Sequence, residues 1–293
     1  NMDFLVSKGR NIRAAVFDLD GTLLRSDKTV SDRTLSAIKA IVAKGWYTAV
    51  ATGRHPLSAL RYMEYMGVLN ERSLAICFNG SALVNVFDFK KSGSPDQGFK
   101  TLYEQTASKD EAAILADLAT HFSLHTHAYS KYSGLCVENS NIYSMREFFH
   151  AGVGLHDGFD FKKAPESERY YKLITVGNGQ DLDCFRASLS TYLKDRFEIM
   201  RTDENFLEFI PSHCSKGTAL MWLCKAALLN IPQICAFGDA ENDMLMLEKA
   251  GLGVAMGNAT AALRKIADHV TTSNDDDGIA VVLEHLLQLQ DRE

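Results

Sequence analysis

Short apolar runs alternate with amphipathic segments in two stretches of this chain, and an unlike stretch separates them. Residues 12–17 (IRAAVF) form an apolar run cut off by an Asp-Gly pair, which predicts a buried strand. Ser31 stands where a helix N-cap belongs, with Leu35, Ile38 and Val42 at helical spacing and Gly45 placed to end the helix. Residues 47–51 (YTAVA) read as the next strand. Pro56 fits the first position of a helix carrying Leu57, Leu60 and Met63 and closed by Gly67. A third strand over 74–78 (LAICF) meets Asn79-Gly80, a hairpin signal into Ala82, Leu83 and Val84.

The texture changes over 87–97, a turn-rich segment containing KKSGSPDQ. Beyond it the pattern predicts helices over 109–120 and 181–193, and strands over 135–138, 170–176, 197–200 and 206–210. These strands are not each followed by a crossover helix, so a mostly antiparallel module is expected. After Pro211 the β/α alternation returns, with helices over 218–229, 242–250, 260–267 and 278–289 and strands over 233–237 and 252–255. The expected class is therefore α/β: a doubly wound, Rossmann-like parallel sheet interrupted by an inserted α+β domain. Residues 1–85 and 212–293 would form the core and 86–211 the insert.

Composition narrows the function classes. A chain of 293 residues with 46% hydrophobic and 23% charged residues can fill more than one core. No apolar run is long enough to cross a bilayer, and the first ten residues lack the apolar centre of a secretory signal. A cytoplasmic protein without a membrane partner is expected. Net charge of −6 and a pI near 5.9 argue against nucleic acid as partner. None of the six cysteines forms a C-x-x-C pair; Cys77 and Cys235 sit in apolar runs as small core residues, which fits a reducing compartment.

Four polar clusters carry the candidate chemistry. Asp18-Leu19-Asp20-Gly21-Thr22 directly follows the first strand, at the edge where doubly wound sheets bind ligands. Two carboxylates two positions apart share one side of an extended chain, and Gly21 permits a sharp turn. A plain Asp-Gly turn competes with this reading; an EF-hand loop does not, because its glycine belongs at the sixth position. Thr52-Gly53-Arg54 follows the second strand, where a hydroxyl and backbone amides can hold phosphate oxygens, or can simply cap a helix. Lys216 opens a helix against the macrodipole preference, a local conflict that suggests a task. Asp239, Asn242 and Asp243 are spaced i, i+3, i+4 after the strand 233–237 and supply the hard oxygens that Mg²⁺ accepts, although acidic capping would look the same. What favours chemistry is that three of these clusters all follow apolar strands.

At these residues the sequence resembles the haloacid dehalogenase superfamily of phosphatases, in particular its Cof-type branch with a large cap between the second and third motifs. The resemblance rests on FDLDGTL (17–23), ATGR (51–54), NGSALV (79–84), SKGTAL (215–220), GDAEND (238–243) and GVAMGNA (253–259). It implies a Mg²⁺-dependent phosphatase acting on a small phosphorylated metabolite, with a sugar phosphate as the expected substrate. Asp18 would be the nucleophile that becomes an aspartyl-phosphate, and Asp20 the acid and then the base. Mg²⁺ would be held by Asp18, the Asp20 carbonyl and Asp239, with Asp243 positioning its waters. Leu19, Thr52, Gly53, Lys216 and Asn242 would bind the phosphoryl oxygens. The cap would close over the core and set the substrate, and the chain would be a monomer or weak homo-oligomer.

Within the insert, His121, His125 and His127 lie close together, but packing outweighs a metal role at so generic a spacing. Tyr129, Lys131, Tyr132 and Arg169 are candidate specificity residues with an equally good surface or packing account. Asp275 to Asp277 read either as a border of the active site beside the last helix or as a solvated acidic cap of that helix, and the cap is the favoured reading. A sugar phosphomutase with a similar cap and a non-turnover phosphoacceptor domain remain as alternatives. The first would return the phosphoryl group to sugar; the second would lack the built-in acid Asp20.

Overall fold

In the computed structural model, which describes residues 7–92 and 99–292, the first apolar run becomes β1 (Ala14–Asp18), buried along its whole length. α1 (Asp32–Ala43) follows, capped by the Ser31 side chain, which accepts from the Thr34 amide. Its buried stripe is Thr34, Ala37, Ile38 and Ile41; Leu35 and Val42, expected in that stripe, flank it half-buried. The small Thr34 and Ala37 on the inner face leave room for close approach. β2 (Tyr47–Ala51) leads to α2 (Pro56–Tyr65), with Pro56 at the first helical turn and the His55 ring accepting from the Leu57 amide at 3.1 Å. β3 (Ser73–Cys77) turns through Asn79 and Gly80 into the antiparallel β4 (Ala82–Asn85).

Part of the segment that reads as turn-rich is instead a short helix, α3 (Val86–Lys91). The Asn85 side chain accepts from the amides of Phe87 and Asp88 and so starts it, while Val86 and Phe89 are buried. The rest of that segment from residue 93 onward falls within 93–98, which lie outside the described residues. Next come α4 (Lys109–Thr120), β5 (His125–Ser130), β6 (Gly134–Val137), α5 (Ile142–Ala151), β7 (Leu155–Asp157) and β8 (Arg169–Val176). The helix expected over 181–193 is two helices, α6 (Gly179–Ser188) and α7 (Thr191–Arg196). Leu189 is extended, and Ser190 starts a fresh helix by accepting from the Leu193 amide. β9 (Phe197–Asp203) and β10 (Phe206–Pro211) complete this part. Its sheet has the order β9-β10-β8-β5-β6-β7, antiparallel except for the β6–β7 pair.

The chain then runs through α8 (Lys216–Ala227), β11 (Ile234–Gly238), α9 (Met244–Lys249), β12 (Leu252–Ala255), α10 (Ala261–Ile266), β13 (His269–Val270) and α11 (Gly278–Gln290). These strands join the first ones in the order β13-β12-β11-β1-β2-β3-β4, parallel from β13 to β3. Contacts divide the chain into two units, at Lys90/Lys91 and Cys214/Ser215. In the first unit the strand order reverses at β1, which pairs with β2 on one side and β11 on the other. A doubly wound sheet opens a crevice at such a reversal, beyond the carboxyl ends of its strands. Among the described residues no helix is long and apolar enough to cross a membrane.

In the second unit, β5 escaped the sequence reading because its residues (HTHAYS) are not an apolar run. They nevertheless alternate in direction, with Thr126 and Ala128 opposite Thr175 and Leu173 of β8, and His127 and Tyr129 on the other face. His127 is completely buried and neither ring nitrogen has a hydrogen-bond partner. Burial above all, with His125 beside it, lowers its pKa to about 4. The unfolded chain therefore takes up a proton below the ordinary histidine value near 6.5 that the folded form refuses. This contribution is fully present above pH 6.5 and is lost as pH falls toward 4, by up to about 1.4 kcal/mol per pH unit. His127→Leu should flatten the acid limb of stability over that interval. Urea midpoints at pH 7 and pH 4.5 for both proteins test this; an unchanged drop in the variant excludes His127 as a source of acid lability.

Candidate active site

β1 delivers Asp18 to the crevice edge in register with Ala51 of β2, and the chain turns at once. The Leu23 amide bonds the Asp18 carbonyl and the Leu24 amide bonds the Leu19 carbonyl, closing a tight loop over Asp20 and Gly21. Gly21 has φ +81, and a Cβ there would stand 2.4 Å from Oδ2 of Asp239. Only glycine lets these two loops meet. Thr22 Oγ1 then donates to Asp239 Oδ1 at 2.8 Å, tying the first loop to the one after β11.

That second loop is folded by its own acid. Asp243 Oδ2 accepts from the amides of Asp239 and Ala240 at 3.0 and 3.1 Å, through a single 3-10 turn rather than the start of a regular helix. Its other oxygen, Oδ1, accepts from Lys216 Nζ at 2.7 Å. The same ammonium donates to Asp18 Oδ1 at 2.6 Å. Lys216 is the first residue of α8, which Ser215 and Thr218 cap reciprocally, and it is one of the most buried large side chains. Asp18, Asp239 and Asp243 each bring an oxygen within 4.8 Å of the others, the one such group among the described residues.

Burial raises the pKa of Asp18; Lys216 beside it opposes this, and Asp243 and Asp239 add to it. Asp239 is raised as well, by burial first, with Thr22 opposing it and Asp243 reinforcing it. Burial would lower Lys216, but the two carboxylates it touches raise it overall and hold it charged. Three crowded carboxylates thus face a single ammonium, an arrangement short of positive charge.

Asp20 occupies a different environment nearer the solvent. Lys28 Nζ donates to its Oδ1 at 2.8 Å and the Arg54 guanidinium to its Oδ2 at 2.6 Å. Partial burial would raise its pKa, but these two cations outweigh burial and lower it. Thr52 is buried at the end of β2, and its hydroxyl accepts from the Arg54 amide at 3.1 Å. Its carbonyl accepts from the Asn79 amide, and Asn79 Oδ1 in turn accepts from Asn242 Nδ2 at 3.2 Å. Gly53 packs against the same Asn79 side chain.

Of the residues picked from the sequence, the structure gathers Asp18, Lys216, Asp239 and Asp243 into one cluster. Thr52, Gly53 and Asn242 surround Asn79, and Asp20 stands apart between two cations. Leu19 keeps its side chain fully buried and offers only backbone. Lys28 escaped the sequence reading, while Thr22, Arg54 and Asn79 stood inside its motifs without a role of their own. Asn79 was legible as a turn residue and as the start of the NGSALV stretch; its φ of +56 shows that its backbone is specially placed.

Within the other unit, Tyr129 donates to Glu147 at 2.8 Å, Lys131 pairs with Glu104, and Arg169 donates to the carbonyls of Glu166 and Glu168. Tyr132 is half-exposed. A buried ion pair, Lys172 with Glu208 at 3.3 Å, has no counterpart in the sequence reading. Asp275 and Asp277 do not cap α11: they accept from the hydroxyls of Ser26 and Ser31 instead. Thr260 caps α10 by accepting from the Leu263 amide.

The sequence pattern of the haloacid dehalogenase-like hydrolases matches residues 15–283. An HMP-PP phosphatase of Enterobacter sp. is 31% identical over 267 residues, 88% of this chain and 89% of the relative. A haloacid dehalogenase-like hydrolase from Bacteroides thetaiotaomicron superposes with a TM-score of 0.80 at 26% identity, covering 93% of this chain and 98% of its own. A subclass IIB sugar phosphatase of the same superfamily shares the fold, with a TM-score of 0.74 at 21% identity over 94% of this chain and 99% of its own. Carrying these motifs on this sheet, the chain belongs to the haloacid dehalogenase-like hydrolase family and is a phosphatase.

Proposed function

We propose that this chain is a Mg²⁺-dependent phosphatase that hydrolyses a small sugar phosphate through an aspartyl-phosphate on Asp18. The observation that supports this best is the cluster of Asp18, Asp239 and Asp243 around one buried lysine. The cluster fits a divalent cation on its own chemistry, since three carboxylates meet one ammonium and burial disfavours the charges of Asp18 and Asp239. Hard oxygen donors in this number suit Mg²⁺. In this reading Asp18, Asp239 and the Asp20 carbonyl hold the ion, and Asp243 orients its waters. When bound, the ion offsets the repulsion between an anionic nucleophile and an anionic phosphate.

The remaining work falls to side chains. An oxygen of Asp18 attacks phosphorus, and the bond from phosphorus to the ester oxygen breaks. Asp20 gives its proton to that departing oxygen, then takes one from the water that hydrolyses the acyl-phosphate. Lys216, Asn242, Thr52, Gly53 and the Leu19 backbone line the positions where charge builds on the phosphoryl oxygens. Asn79 positions two of them, Gly53 and Asn242. Lys28 and Arg54 hold Asp20 ionised in the resting arrangement, the form needed for the second step; for the first step it takes up a proton from solvent as bound substrate draws it away from the two cations. The inserted unit, residues 91–214 rather than the 86–211 expected from sequence, serves in this proposal as the domain that selects the leaving group, and the sugar assignment draws on the sugar phosphatase that shares the fold.

Phosphate release from a panel of sugar phosphates, with Mg²⁺ and after chelation, tests the reading. Asp18→Asn should lower turnover at least about a thousandfold, because a nucleophile acts only in the transition state. Full activity in that variant excludes Asp18 as nucleophile, and an isomeric sugar phosphate in place of free phosphate marks a mutase. Lys216→Met should cost about 3–5 kcal/mol of stability, since it leaves two buried carboxylates without their cation. Adding Asp18→Asn to Lys216→Met should recover part of that loss in urea unfolding. Equal stability of parent and Lys216→Met would mean that the ammonium does not compensate the cluster.

A further inference from the structure

The three cations near the reacting carboxylates are not equivalent. Lys216 is wholly buried and committed to Asp18 and Asp243. Lys28 and Arg54 lie toward solvent, with side chains 62% and 27% exposed, and among the described residues both pair with Asp20 alone. Neither contact closes a core: both sit on the two oxygens of one partly exposed carboxylate, so a single anionic group of similar size can bridge them in its place.

The backbone holds Lys28 there at a cost. It has φ +67 in a tight hairpin where the Arg25 amide bonds the Thr29 carbonyl and the Lys28 amide bonds the Arg25 carbonyl. Asp27 clamps the turn by accepting from the Thr29 amide and hydroxyl. The hairpin is anchored in turn by Asp275, which accepts from the amide and hydroxyl of Ser26. Arg54 is fixed from the other side, because its amide is held by Thr52. Two separately built loops thus aim cations at one point beside Asp20, the residue that faces the departing oxygen in the mechanism above. An uncharged sugar on that oxygen would offer this ammonium and guanidinium only hydroxyl acceptors, with no charge to replace that of Asp20.

We propose that Lys28 and Arg54 form a subsite for a second anionic group on the leaving group. The preferred substrates are then small phosphate esters, sugars among them, whose alcohol portion itself carries a phosphate or a carboxylate. That group takes over the two cations and frees the Asp20 carboxyl to turn toward the ester oxygen. The inference rests on the phosphatase reading above and adds the charge of the leaving group to it.

Three probes of similar size separate the possibilities: a hexose monophosphate, a hexose bisphosphate and a phosphorylated sugar acid. Phosphate release from each is measured for the parent, Lys28→Asn, Arg54→Gln and Arg54→Lys. Asparagine tolerates the positive φ at position 28, and both sites are on the surface side, so the variants should fold, which thermal melting checks. The parent should favour at least one anion-bearing probe over the monophosphate in kcat/KM; which one it favours distinguishes a second phosphate from a carboxylate. Lys28→Asn and Arg54→Gln should each cut that preference about fivefold, the scale of one partly exposed ion pair, mainly through KM. Arg54→Lys should keep most of it. Equal preference in the parent and all variants, or a parent that favours the monophosphate, overturns the subsite while leaving the phosphatase reading intact. No phosphate from any probe in the presence of Mg²⁺ overturns both.

Discussion

A single buried ammonium, that of Lys216, is the constraint on which this site depends. Asp18 comes from the first strand and Asp243 from the loop after β11, more than two hundred residues later. Two carboxylates out of contact with water repel each other and lose hydration, so neither loop would hold its acid at the crevice without a cation between them. Lys216 sits at the first position of a helix, where its charge is disfavoured by the helix dipole. The helix tolerates it because Ser215 and Thr218 satisfy its first turn independently. A residue placed against its local preference is compensated by two partners that the fold brings from elsewhere.

The same logic orders the rest of the crevice by depth. Asp243 uses one oxygen for Lys216 and the other for two backbone amides, so its charge is fully engaged in shaping the loop. Asp239 accepts from the Thr22 hydroxyl and makes no ion pair among the described residues, which leaves it the least compensated acid of the cluster. Asp20, with its side chain 43% exposed, keeps contact with water and with two cations. Two acids two residues apart in sequence therefore meet opposite electrostatic environments. Burial raises Asp18, whereas Lys28 and Arg54 bring Asp20 down. Pairs of acids whose environments pull them apart are what a division between nucleophile and proton carrier requires.

Much of this was legible from pattern alone, and the reason is specific to the core. Its strands are buried on both faces, so they appear as unbroken apolar runs, and the polar residues that follow each run stand out against them. The 47–51 and 252–255 strands were read to the residue. The inserted unit hid more, because its strands mix polar with apolar positions; β5 carries two histidines and a threonine in six residues, and no apolar run marks it. The split between α6 and α7 was lost for a different reason. Leu189 continues the apolar spacing across the break, and the serine that starts a new helix looks like any polar surface residue.

What sequence could not supply is the identity of the partners. Thr22, Lys28, Arg54 and Asn79 are common residue types in turns, and each acquires its task only from a contact made across the sheet or between loops. Asn79 illustrates this best. In the chain it is half of an Asn-Gly hairpin signal, and it does make that turn, with φ +56. The left-handed backbone also turns its side chain toward Asn242 and beneath Gly53, joining the loops after β2, β3 and β11. The turn and the site are one requirement here, since a residue that could not adopt that backbone would lose both the hairpin and the bridge. Local propensity and tertiary contact select the same amino acid, which is why a motif read as simple punctuation lies inside the chemistry.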